Sequence, residues 1–209
     1  MTEPVNKIAQ SQHPSTFGLG MVILLYLSIA IFFEFISALH SHVLGSSPYS
    51  FYYDAPLSVV MVIGIVLCQR PRLLALSRWV PRPGDLAIAV PVGLLIAGGV
   101  WLLVPNQSKF VLPHASLIPV VFIGPVAEEV LLRGVFLRSL REHEPLPVAV
   151  LMVTLLAAIM HVSFWFAVPT QLALSIVYLA MGNSLAASIA VHITINATGF
   201  LVAGRFFHQ

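Results

Sequence analysis

The chain has 209 residues, of which 58% are hydrophobic and 9% charged, with a mean hydropathy of +0.95 and a formal net charge of +2. A soluble domain carries about 25% charged residues, so this composition excludes an ordinary water-soluble fold, and without a basic block it gives no sign of a nucleic-acid partner. The single cysteine, Cys68, excludes an intrachain disulfide framework and a multi-cysteine metal site.

In chain order, residues 1–16 are polar and read as a cytoplasmic N-terminus. A membrane-spanning helix needs about 20 mostly apolar residues. Candidate spans follow at Phe17–Leu39, roughly Ala55–Cys68, Leu86–Val104, Ser116 to Leu140, Leu146 to His161, Phe164–Met181 and Leu185–Phe206. The first is too long for the apolar core of a signal peptide and has no small-residue cleavage site, so it reads as an uncleaved anchor. The expected fold is an all-α, polytopic integral membrane bundle of about seven transmembrane helices, forming one domain over 17–207.

Lys and Arg set the orientation of such a bundle. Arg70, Arg72, Arg78 and Arg82 lie between spans two and three, Arg138 and Arg141 follow span four, and Lys7 precedes span one. A cytoplasmic N-terminus puts all of these on the inner side. Only Lys109 and Arg205 then lie outside, with Arg133 inside the membrane.

Ionisable groups within spans cost about 2.5–3.5 kcal/mol each to insert, so each is a functional candidate. They are Glu34, Glu128, Glu129, Arg133, His161 and His192, with Asn196 as a buried amide. In A-E-E-V-L-L-R-G (127–134), Glu129 and Arg133 are four apart with the acid N-terminal, the favourable order for a helical ion pair. Glu128 is turned about 100° away and cannot share that pairing equally. The motif divides into a paired glutamate and a spare one, and the spare one is the better candidate for chemistry. Pro119 and Pro125 precede the pair and can free a carbonyl in the helix. His192 and Asn196 are also four apart, on one face of span seven. On straight helices, Glu128 lies about 20 Å from the inner surface, His161 about 23 Å, Asn196 about 18 Å and His192 about 12 Å. Polar groups from three spans thus fall at similar depth. Glu34 is a candidate for a cavity wall or for a pairing partner.

These residues resemble the CPBP family (CAAX prenyl protease type II / bacteriocin-processing, or Abi), over roughly 116–200. Glu128–Arg133 fits its E-E-x-x-x-R motif. A-I-M-H, ending at His161, is similar to its second motif, although Ala157 stands where the family commonly has Phe. Gly182–Asn196 looks like its H-x-x-x-N motif with a small-residue lead-in. The resemblance implies an intramembrane glutamic endopeptidase. In that picture Glu128 and His161 activate a water, His192 and Asn196 stabilise the oxyanion, and Glu129 and Arg133 hold the site together. No cofactor is implied. The expected substrate is a membrane-anchored protein or peptide, and the expected location a prokaryotic plasma membrane. A carboxylate in a low-dielectric cavity is a stronger base than in water, which suits the role. Ser163 lacks a G-x-S-x-G context for a nucleophile.

Two other classes stay open at this point. One is a zinc metalloprotease with Glu128, His161 and His192 as ligands, although H-E-x-x-H is absent. The other is a non-enzymatic transporter or binding protein using the buried charges as a relay.

Overall fold

The computed structural model describes residue 80 and residues 82–103, 118–159, 161 and 164–206. The spans expected at Phe17–Leu39 and Ala55–Cys68 lie outside these residues, as do Glu34, Cys68 and Ser163. The described residues are helical, with no strand among them. Helix α1 is Pro83–Leu103. Helix α2 occupies 119–141, α3 is Leu146–Ile159, α4 is Phe164–Ala180 and α5 is Leu185–Phe206.

Helices α1 and α5 start side by side, and local chemistry fixes both starts. Pro83 sits at the first position of α1, where its missing N–H costs nothing. Asp85 then reaches back, accepting from the Arg82 amide at 3.1 Å. Ser184 caps α5 by accepting from the Ala187 amide at 3.3 Å. The same Ser184 hydroxyl donates to Asp85 at 3.2 Å, which ties the two starts together. From there α1 and α5 pack along each other.

Their approach is set by Gly93. A Cβ built there would lie 2.7 Å from Cβ and 2.9 Å from Cγ2 of Thr194. Gly93→Ala should therefore cost about 1–3 kcal/mol by overpacking. A lowered unfolding midpoint in detergent would show it; an unchanged midpoint would mean that α1 and α5 can separate freely.

The turn from α4 to α5 closes with a left-handed pair, Gly182 (φ 67°) and Asn183 (φ 63°). The Asn183 amide donates to the Tyr178 carbonyl at 2.8 Å and that of Gly182 to Leu179 at 3.0 Å, the two bonds of a Schellman cap. The Asn183 side chain accepts from Arg141 at 3.0 Å. Arg82, Arg141 and this turn therefore share one end of the bundle.

Helix α2 departs from the straight α-helix expected of it. It is π-helical over Pro119–Ile123, α-helical over Gly124–Glu129, π-helical again over Val130–Leu137 and α-helical over Arg138–Arg141. Pro125 has no N–H to return to the preceding turn, and the first π stretch lies just before it. Helix α3 is also short. Its 14 residues rise about 21 Å, against a hydrocarbon core of about 30 Å.

The interior is more polar than the exterior. Glu129, Arg133, Gln171, Ser175, Ser188 and His192 are buried, whereas Leu94, Leu95, Leu102, Leu151, Ile176 and Leu201 are exposed. Apolar clusters flank the polar ones. Leu132, Phe136 and Leu137 of α2 pack with Val153 of α3 and Tyr178 of α4, and Ala89 and Ala97 of α1 pack with Leu174 and Val191. A surface of Leu and Ile over a core holding an ion pair suits a lipid solvent. Pro83–Val100 and Leu185–Val202 are each long and apolar enough to cross a membrane.

Candidate active site

Helix α2 presents its two glutamates in different directions. Glu129 is fully buried, whereas the Glu128 side chain is 36% exposed. The 3.6-residue period requires this division, and Glu129 closes the short α-helical stretch where that period holds.

Glu129 is the hub of the buried half. Its Oε1 accepts from Arg133 Nη1 at 2.9 Å, the contact that the four-residue spacing predicts, and from His192 Nδ1 at 2.9 Å. Its Oε2 accepts from the Ser188 hydroxyl at 2.5 Å. Arg133 in turn donates through Nη2 to the Gln171 carbonyl at 2.6 Å and to the Ser175 hydroxyl at 3.3 Å. Two full charges in a dry interior need such satisfaction, because desolvating them costs several kcal/mol per ion.

Glu128 belongs to the open half. His161 Nε2 lies 3.6 Å from its Oε2. That is too long for a direct hydrogen bond and short enough for one water to touch both. Gln171 Nε2 donates to the same oxygen at 3.3 Å. His161 stands just beyond the end of α3, its amide bonded to the Ala158 carbonyl at 3.1 Å. Non-helical backbone at membrane depth is tolerated only against protein or a wet cavity, and the His161 side chain is 34% exposed. Its Nδ1 faces the Ala157 carbonyl at 2.8 Å. A carbonyl only accepts, so Nδ1 carries the hydrogen and the neutral ring keeps its lone pair on Nε2, toward Glu128.

The two groups on α5 are each engaged. His192 spends Nδ1–H on Glu129. Asn196 donates through Nδ2 to the Val120 carbonyl at 2.9 Å. In π register the missing N–H of Pro125 is the one that Val120 would have accepted, so Asn196 replaces it. The amide nitrogen keeps a second hydrogen.

Sequence reasoning missed Gln171, Ser175 and Ser188. A signal existed for the first two. They are four apart in a largely apolar helix, with Tyr178 three further on, and all three are buried. Glu128, His161 and His192 do not meet as a metal-ligand set. Among the described residues no group of three His, Cys, Asp or Glu side chains is arranged to hold an ion.

The family model for the type II CAAX prenyl endopeptidase, Rce1-like, matches residues 110–198. The matched segment is 89 of the 209 residues, and over it the chain is similar to the Rce1-like family. Helices α2, α3 and α4 and the first two-thirds of α5 lie within it. No curated protein and no solved structure matches the chain. The match agrees with the resemblance carried by Glu128–Arg133, His161 and Gly182–Asn196. The chain's apolar surface and its polar interior agree with an integral membrane protein.

Proposed function

We propose that the chain is a glutamic-type intramembrane endopeptidase of about seven spans. One observation carries the reading: Glu128 Oε2 and His161 Nε2, both on partly exposed side chains, stand 3.6 Å apart at a helix end. A water there gives one hydrogen to Glu128 and points the other at His161 Nε2. Glu128 takes the proton as the water oxygen bonds to the scissile carbonyl carbon. The carbonyl oxygen becomes an oxyanion, met by the second Asn196 N–H and by His192. Because His192 Nδ1–H is committed to Glu129, Nε2 can donate only when the ring is an imidazolium. The proton on Glu128 then passes to the leaving nitrogen, the C–N bond breaks, and a carboxylic acid and an amine depart. Each preorganised oxyanion donor is worth about 2.7–4 kcal/mol. Glu129 and Arg133 keep α2, α4 and α5 in register.

Arg82, Arg138 and Arg141 at one end of the bundle favour a cytoplasmic placement of that end, and with it a cytoplasmic N-terminus in a prokaryotic plasma membrane. His161 lies at the opposite end of α3, so the site would sit in the outer half. A membrane-anchored, exported precursor is then the expected substrate.

The test uses the purified chain in lipid nanodiscs with two fluorogenic probes, a farnesylated C-terminal peptide and a single-span C-terminal anchor. Cleavage of at least one probe should persist in chelator, and His161→Ala should lower it by about 10²-fold or more. Wild-type turnover by His161→Ala would sink the proposal. Loss in chelator with restoration by zinc would replace it with a metalloprotease.

A further inference from the structure

Gln171 is the one described side chain that touches the open half of the site while its backbone holds the buried half. Its Nε2 donates to Glu128 Oε2 at 3.3 Å, and its carbonyl oxygen accepts from Arg133 Nη2 at 2.6 Å. It is 1% exposed, and its side-chain Oε1 is buried without a hydrogen-bond partner. An orphaned buried acceptor is costly. An amide that only bridged helices could be satisfied at both ends. Here one end is left unmet while the other is aimed at a carboxylate. An ionised carboxylate only accepts, so the N–H₂ end is the end that must face it.

Glu128 has little else to hold it. The described residues give it the Gln171 bond and the longer approach of His161. A glutamate has three rotatable bonds, and a base must stay within about 2.6–3.2 Å of the proton it removes. We infer that Gln171 is a positioning residue for Glu128: it clamps Oε2 and fixes the base relative to the framework of Arg133 and Glu129. This rests on the reading of Glu128 as the base.

The other charged groups of the cluster are His161 after α3, Glu129 and Arg133 on α2, and His192 on α5. A Gln171→Met substitution changes none of them. It keeps the length of the side chain and leaves the backbone acceptor for Arg133 in place, but removes the donor. In the same nanodisc assay, Gln171→Met should lose about tenfold in kcat/KM, matching one lost charge-assisted hydrogen bond. The loss should fall on kcat, with KM within about twofold of wild type, because the base and not the substrate loses its anchor. A merely structural residue would lower the folded fraction alone, so a kcat per folded protein equal to that of wild type overturns the inference. Should Gln171→Met not accumulate, Gln171→Glu serves as the second variant. It replaces the donor with a like charge and should lower kcat per folded protein in the same way; a wild-type kcat overturns the inference. Glu128→Gln is run alongside. If it cleaves as wild type does, the glutamic reading itself fails, whatever Gln171 does.

Discussion

Glu128→Gln should cut turnover by about 10²–10⁴-fold, the range of a lost general base, in a protein that folds as the wild type does. The split between the glutamates is the reason. Glu128 is over a third exposed and stands outside the buried ion cluster, so its charge carries little of the stability. An amide of the same shape can still accept from Gln171 and still lie beside His161. It cannot take a proton from water. Side-by-side measurement of kcat, KM and the unfolding midpoint in detergent checks both halves. An inactive protein with a midpoint like that of wild type is expected. Turnover within twofold of wild type would remove Glu128 from the chemistry. A collapsed midpoint would instead make it structural.

Arg133→Met should do the reverse, acting on folding first. It leaves Glu129 fully buried, with His192 and Ser188 as its partners. Removing one member of a buried pair typically costs about 3–5 kcal/mol, because a charge remains without compensation. That is a large share of a total of about 5–15 kcal/mol, so little folded protein should accumulate. The double variant Glu129→Gln with Arg133→Met removes both charges and should recover most of the stability. It should not recover activity, because His192 loses the carboxylate that orients its ring. Unfolding midpoints of the single and double variants decide the matter. A double variant no more stable than Arg133→Met would show that the pair's attraction is not what Arg133 supplies.

Much of this was legible in the sequence, and the pattern of what was not is instructive. The bounds of α5, Leu185–Phe206, coincide with the expected seventh span, because hydropathy is summed over some 20 residues and local detail averages out. The division of Glu128 from Glu129 needs only helical periodicity, and it holds. The π stretches were hidden, because the choice between i→i+4 and i→i+5 bonding hinges on what satisfies the freed carbonyl. For Val120 that partner is Asn196, 76 residues away. Gln171 escaped for a different reason. Intramembrane charges announce themselves by their cost, whereas a neutral amide among leucines is cheaper and looks incidental. The short α3 was legible: the expected span runs from Leu146 to His161, and the helix covers Leu146–Ile159.

The π-wound stretch Val130–Leu137 also bears on how such a chain can change length over evolutionary time. Bonding from i to i+5 stores more residues per turn than an α-helix does. Between Gly134 and Leu137, a one-residue deletion can be absorbed by rewinding to ordinary pitch, and the glutamates and Arg133 upstream keep their spacing. A deletion between Gly124 and Glu129 has no such slack and would swing Glu128 away from His161. The helix thus contains a segment that can absorb a one-residue deletion and a segment that cannot.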